Sequence, residues 1–364
     1  VGAVGAARPD VTAAGDARKE IESRERWSGA RVFITGVCGT VGRELLRQVA
    51  ELNPREIVGI DNNETEIFFL AEEYRARPFV HLYLGDVRDR DNLLRHTEGV
   101  DIILHAAALK HVILCEQSPR DPVQTNILGT QNVIDAALAN SVGRVIFTSS
   151  DKAVNPTNVM GTSKLMGERL ITAANALTRG GRTVFASTRF GNVLGSRGSV
   201  VPVFQRQIAA GERVTITDRE MTRFIMTLAE AVGLVMDSVF RARGGEVFVT
   251  KMPVARILDL AKVMIEELAP RHGRRPEDVE IVTIGAKPGE KLYEELMSDE
   301  ETRRTVELDR YFAVLPAFKT VYRSIDYDYP GVYSGRVARP YNSSLEAPMS
   351  REALRRYLLE GRVL

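Results

Sequence analysis

Cysteine is scarce in this chain of 364 residues: Cys38 and Cys115 are the only two. Both lie in segments that otherwise read as a cytosolic α/β domain, so a disulfide framework is not expected to hold the fold. Histidine is almost as rare, five in all and scattered, and no cysteine pair accompanies it, so no metal-ligand spacing is present and no metal is expected. An uninterrupted apolar run of about 18 or more residues is missing as well, so no transmembrane helix is expected within these residues. Net charge is close to zero, with 49 Lys and Arg against 48 Asp and Glu. Nucleic acid and anionic membrane surfaces are therefore not expected as partners, and any anionic ligand must be met by local groups. What remains, 44% hydrophobic and 27% charged residues, is the composition of a globular protein able to bury a large core. One large α/β unit, or one plus a smaller lobe, fits the length.

Residues 1–30 are rich in Ala, Gly and Arg without a sustained apolar stretch, and read as a mobile tail instead of a secretory signal. The first residue is Val, so a processed or truncated start, and a membrane segment upstream of it, stay open. From Arg31 the chain alternates between short β-runs and helices. RVFIT is followed by a glycine turn and by VGRELLRQVAEL, whose apolar residues recur at helical spacing. EIVGID, HLYLGD, DIILHAA, GRVIFTSS and TVFASTRFGN supply five more β-runs, with acids, glycines and hydroxyls at their carboxyl ends. That alternation predicts a parallel, doubly wound sheet of α/β class. After about Gly195 it loosens, and LAEAVGLVMDSVF, ARILDLAKVMIEEL and IVTIGAKPGEKLYEEL read as a smaller C-terminal lobe closing over the carboxyl edge of the sheet. The expected division is a tail over 1–30, a dinucleotide-binding domain over 31–194 completed by later segments, a mostly substrate-binding lobe over 195–330, and an extension over 331–364.

Gly36, Gly39 and Gly42 form GxxGxxG between the first β-run and the first helix. The first permits the tight turn, the second lets backbone approach a pyrophosphate, and the third lets helix pack on strand, with phosphate facing the helix N-terminus. Asp61 ends the next β-run about 25 residues on, where it accepts from adenosine ribose hydroxyls and repels a 2′-phosphate. NAD is thus expected over NADP. Thr40 and Val41 complete the loop, Asp86 and Val87 follow the third β-run towards the adenine, and Ala106 and Ala107 follow the fourth. A helix N-cap is the alternative for Asp86. Cys38, without an evident basic partner, reads as a spacer.

GVCGTVG, HAAALKHV, NILGTQNV, SSDKAVNPTNVMGTSK, RFGNVLGSRGSVVP, ITDREMTRF and KPGEKLYEEL, in this order, resemble the extended short-chain dehydrogenases that act as UDP-N-acetylglucosamine 4,6-dehydratases. The resemblance covers roughly Arg31 to Ser298. It implies a Rossmann fold, NAD, a UDP-sugar substrate, and a 4-keto-6-deoxy sugar nucleotide as product, in polysaccharide biosynthesis. Some members are soluble and others carry the same domain behind N-terminal membrane helices. A cytoplasmic homo-oligomer is expected here.

Dehydration across C5 and C6 needs hydride removal from C4 with loss of the O4 proton, elimination of water, and hydride return to C6. In most short-chain dehydrogenases a Tyr four residues before a Lys serves the first event. Here Met160 occupies that place ahead of Lys164, and a thioether is neither acid nor base. One dehydratase branch, the one with membrane-tethered members, also carries Met there, and by resemblance it leans towards retention at C5. Asp151 and Lys152 directly follow Ser150 at the end of the fifth β-run. An adjacent carboxyl and amine supply the acid for O6 and the base for C5, and the resemblance implies the same roles: Asp151 the acid, Lys152 the base. Ser150 assisted by Lys164, or Asp151 earlier in the cycle, are the candidates for the O4 proton. The competing readings are a solvated Asp151–Lys152 pair and an exposed helix lysine at Lys164. Lys110 and His111 border the sugar or hold structure, and Asn126 supports the active-site strand.

The resemblance places Asn192, Arg197, Ser199, Arg223, Lys287 and Glu290 at the UDP, with Lys110 and Met160 at the sugar. Arginine holds phosphate oxygens bidentately and lysine acts as a point charge; Glu290 would accept from ribose hydroxyls. A UDP-hexosamine epimerase sharing the first hydride step, and a silent dinucleotide sensor suggested by Met160, are the alternatives.

Overall fold

A computed structural model describes residues 25–178, 183–285, 289–318 and 325–364. Six parallel strands, β1 (Arg31–Thr35), β2 (Glu56–Asp61), β3 (Val80–Leu84), β4 (Ile102–His105), β5 (Arg144–Ser150) and β6 (Val184–Phe190), lie in the order β3-β2-β1-β4-β5-β6. This is the doubly wound order, whose crossovers reverse between β1 and β4. Val247–Thr250 continues the sheet parallel to β6, and Tyr311–Val314, Thr305–Leu308 and Val332–Ser334 finish it antiparallel, making ten strands. Central strands of such a sheet are buried on both faces and so read as continuous apolar runs. In β1, Val32 and Ile34 enter the core on one face while Phe33 enters the core on the other; β5 divides Ile146 from Val145 and Phe147 in the same way.

The helix Thr40–Glu51 buries Leu45, Leu46, Val49 and Ala50, one stripe at helical spacing. Leu228–Arg241, read with the smaller lobe in the sequence, packs beside it against β5 and β6. Its stripe Ala231, Val232, Leu234, Val235 and Val239 is needed because a parallel sheet must be covered on both faces. The tail assignment also ends too late: Trp27 and Ala30 are buried in the sheet's core, with Trp27 edge-on to Phe240. IVTIGAKPGEKLYEEL shows strands where described: Ile281–Thr283 pairs with Val214–Ile216, and Glu295–Met297 with Tyr341–Asn342.

The helices Val200–Ala210, Ile257–Leu268 and Arg351–Glu360 share a separate apolar cluster and form the smaller lobe. A three-stranded sheet, Asn192–Val193, Thr222–Met226 and Val254–Arg256, joins that lobe to the carboxyl edge of the main sheet just past β6. Arg189 on β6 ties Glu168 to the segment Leu296–Glu301 beside the main sheet. It is fully buried and makes paired contacts of 2.7–2.8 Å with Glu168 and 2.8 Å with Glu301, and donates to the Leu296 carbonyl.

Candidate active site

The glycine turn leaves β1 in a shape that side chains cannot share. Gly36 has φ +69°, and a Cβ there would stand 2.7 Å from the Ala107 backbone; one on Gly42 would stand 2.0 Å from the Gly36 carbonyl oxygen. Ala106 and Ala107 are held against the turn by Thr35, whose carbonyl and hydroxyl accept from their N–H groups. The helix Thr40–Glu51 starts from Gly39 with no side-chain cap and no acid in its first turn. Its first N–H groups therefore face a concavity that suits an anion. Asp61 stands across this turn, accepting from the N–H of Cys38 and of Asn63 at 3.0 Å each. Burial, and then the Asp61 charge, push the Cys38 thiol up to about 12, which fits a spacer and not a nucleophile.

Asp86 follows β3, but its carboxylate is engaged by the Arg88 guanidinium at 2.6 Å and by Asn62. The helix cap considered for it belongs to Asp89, which accepts from the Asn92 N–H. Val87 is buried, and its carbonyl accepts from Asn132.

The fifth β-run ends as expected in Ser150, and Asp151–Ala153 form a single 3-10 turn beyond it. The Ser150 hydroxyl donates to Asp151 Oδ1 at 2.5 Å and accepts from the Lys152 N–H. Lys152 Nζ lies 3.1 Å from Asp151 Oδ2. Asp151 is 4% exposed, so the solvated-pair reading does not describe it. Burial works to raise its pKa, and the Lys152 charge with hydrogen bonds from Glu294, Ser150 and Lys152 outweighs that and holds it below the usual carboxylate range. Burial likewise pulls Lys152 down, and is overcome by Asp151 and then Glu294, which keep its ammonium more strongly protonated than usual.

The helix Val159–Leu177 abuts this turn so closely that a Cβ on Gly161 would stand 2.2 Å from the Lys152 carbonyl oxygen. Met160 is buried there, and Lys164, far from being an exposed helix lysine, is 6% exposed. Its Nζ donates to the Thr148 carbonyl and lies over the Phe147 ring, and burial lowers its pKa to about 8. Asn126 ties the loop after β4 to the same helix, bonding both backbone groups of Leu109 and the Ser163 hydroxyl.

The residues expected at the nucleotide divide. Arg197 reaches back over the cofactor turn, pairing with Glu66 at 3.1 Å while its N–H meets the Thr40 hydroxyl. Lys110 Nζ donates to the Arg197 carbonyl at 2.7 Å, and Gly198 rests on the His111 ring. Ser199 precedes the helix Val200–Ala210 with its hydroxyl buried and unpartnered. Arg223 commits its donors to the carbonyls of Thr222, Lys291 and Leu292 and to the carboxylates of Glu290 (3.6 Å) and Glu294 (3.2 Å). Those contacts hold the KLYEEL segment in place. Lys287 lies outside the described residues.

Glu294, absent from the sequence expectations, is the addition. It is 6% exposed and faces Lys152 Nζ at 3.5 Å, while Asn192 Nδ2 donates to its other oxygen at 2.9 Å. Burial first, and then the Asp151 charge, push its pKa up to about 8 against Lys152 and Arg223. No metal-binding group of His, Cys, Asp and Glu occurs among the described residues, and no helix among them is long and apolar enough to cross a membrane.

A doubly wound sheet, an uncapped helix after a glycine turn and a Ser–Asp–Lys row at the end of β5 with its Asp151 buried define a Rossmann-type protein of the extended short-chain dehydrogenase class. The model of the polysaccharide biosynthesis protein family matches residues 32–316. A UDP-N-acetylglucosamine 4,6-dehydratase (inverting) of Campylobacter jejuni is 38% identical over 298 residues, 81% of this chain and 86% of that protein. An uncharacterized membrane protein of Methanocaldococcus jannaschii is 49% identical over 285 residues, 78% of this chain and 85% of that protein. The X-ray structure of Pen from Bacillus thuringiensis superimposes with a TM-score of 0.86 at 40% identity, over 93% of this chain and 99% of that one. The chain belongs to the polysaccharide biosynthesis protein family, in the group that includes the UDP-N-acetylglucosamine 4,6-dehydratases.

Proposed function

We propose that this protein is an NAD-dependent 4,6-dehydratase of a UDP-sugar, and that the sugar is UDP-N-acetylglucosamine. The observation that carries the proposal is the buried carboxyl of Asp151 in contact with the Lys152 amine at 3.1 Å, next to the carboxyl edge of a dinucleotide fold. The Campylobacter relative's name supports the substrate.

The concavity between Gly36 and Gly42 fits the cofactor, since it offers uncapped N–H groups to a pyrophosphate and an acid, Asp61, to a ribose. NAD, when bound, accepts the hydride from C4 and returns it to C6. Thr40 and Val41 would hold the pyrophosphate, Asp86 and Val87 the adenine, Ala106 and Ala107 the nicotinamide half, and Lys164 the neighbouring ribose. Ser150 passes the O4 proton to Asp151 along its 2.5 Å bond. Asp151, thus protonated, gives that proton to the C6 hydroxyl as it leaves as water, while Lys152 removes the C5 proton and later restores one. Met160 packs beneath the sugar.

Asn192, Ser199, Glu290 and Lys287 serve the UDP, with Lys110 and Arg197 where the two loops meet. The two free cysteines support a cytoplasmic setting, and the exposed Ile113, Leu114, Val123 and Leu128 support a homo-oligomer. Mass spectrometry of the holoenzyme with UDP-sugars tests the assignment. The product from UDP-N-acetylglucosamine is expected to be lighter by one water; an isobaric product identifies an epimerase, and an unchanged sugar with bound NAD identifies a sensor.

A further inference from the structure

Lys152 presents a difficulty, because a base must be neutral and this amine sits as an ammonium between two carboxyl groups. Its proton needs an acceptor other than Asp151, which the dehydration requires as the acid. We propose that Glu294 is the third member of the reaction centre, a positioning residue that takes the proton of the Lys152 ammonium and so frees the amine to act at C5.

The proposal rests on the dehydratase reading. Glu294 Oε1 is 3.5 Å from Lys152 Nζ, and Asn192 and Arg223 fix the carboxyl in that direction. The charged groups facing it are Asp151 and Lys152 from the end of β5 and Arg223 from the strand Thr222–Met226. The segment after Tyr341–Asn342 brings the Ser343 hydroxyl, which accepts from the Glu294 N–H. Beyond them Glu290 meets Arg223, and Lys110 lies towards Lys152. With Glu294 ionised, two carboxylates balance two cations; while Glu294 holds a proton it donates to Asp151 instead and has no room for the proton of Lys152. When Asp151 receives the O4 proton, the charge that most holds the ammonium disappears, and burial then favours the neutral forms of both Lys152 and Glu294. Elimination follows from that state: Asp151 yields its proton to the departing O6 hydroxyl and Lys152 takes the C5 proton. Lys152 returns a proton to C5 as hydride reaches C6 and recovers its own from Glu294. The centre ends each turnover with the protons it began with.

The resting centre must therefore hold Glu294 ionised, and its affinity for a proton lies near neutral, pushed up to about 8. Rapid mixing of the NAD-loaded enzyme with UDP-N-acetylglucosamine across pH separates C4 oxidation, seen as NADH, from dehydrated product. In the wild type, product formation is expected to fall about tenfold per pH unit below about 8. Glu294→Gln is expected to form NADH with unchanged KM, to lose product formation by about a hundredfold or more, and to show no inflection near pH 8. Glu294→Asp should recover part of the loss. A wild-type profile in which product formation does not fall as the pH drops, while NADH still forms, or turnover by Glu294→Gln within a few-fold of wild type, overturns the proposal, and the wild-type profile decides even if the variant fails to fold. Wild-type enzyme that makes neither NADH nor product refutes the dehydratase reading instead.

Discussion

Replacing Gly42 by alanine tests the cofactor turn on a single methyl group. Inside a helix, Gly→Ala stabilises by about 1 kcal/mol when space allows, so the default expectation is a firmer protein. Here the new Cβ would lie 2.0 Å from the Gly36 carbonyl oxygen and 2.8 Å from the Val37 Cα, all rigid backbone, where ordinary contact begins at 3.4 Å. Turn and helix must separate by about 1.4 Å, beyond the reach of a hydrogen bond. Losing one charge-assisted bond to the pyrophosphate costs about 1.5–3 kcal/mol, a fall in NAD affinity of roughly 10- to 150-fold. Calorimetric titration with NAD, paired with thermal melting of the free protein, should show weaker binding and a lower Tm together. Gly39→Ala is the control, because its Cβ meets the Gly36 oxygen at 3.2 Å and asks only for a few tenths of an ångström. Its melting should match wild type. A Gly42→Ala protein that melts higher and binds NAD with unchanged affinity would refute the steric reasoning.

Arg189→Met should strip the buried Glu168 and Glu301 of their shared cation and destabilise by about 3–5 kcal/mol, read as a lower urea midpoint; an unchanged midpoint contradicts the clamp. His105, wholly buried between Thr35 and Thr130, has its pKa lowered by burial to about 3. Below the unfolded value of about 6.5 the unfolded chain binds a proton that the folded one refuses, so stability falls with pH between those values by up to about 1.4 kcal/mol per unit. His105→Gln should flatten that slope in urea titrations from pH 6 to 4 by roughly this amount, and an identical slope would show that other groups set it.

The sheet was legible because its signals are local. β1, β2, β4, β5 and β6 are apolar runs buried in the middle of the sheet, with β3 half-exposed at its edge, and within the glycine turn Gly39 and Gly42 answer to Gly36 a few residues away. The Ser150–Asp151–Lys152 row is contiguous, so its adjacency needed no folding to be seen. Placement was harder to read. The stripe of Leu228–Arg241 says that one face is covered, not by what, and only the need to roof the sheet assigns it. Arg197 carried a nucleotide expectation, yet the loop it rides on crosses to Glu66 on the cofactor side. Glu294 gave no signal at all, since the first acid of a Glu-Glu pair looks the same in solvent or in a core. Its meaning comes from Asn192 and Lys152, more than a hundred residues away.

Dehydration depends on Lys152 acting at C5, and the most direct measurement is the reaction of Lys152→Ala beside wild type in D₂O. Wild type should release a product lighter than UDP-N-acetylglucosamine by one water and carrying one solvent deuterium at C5. The variant should still reduce bound NAD on mixing with the sugar, yet form no dehydrated product and exchange no deuterium. Dehydrated, deuterium-labelled product from Lys152→Ala at the wild-type rate would contradict the central claim.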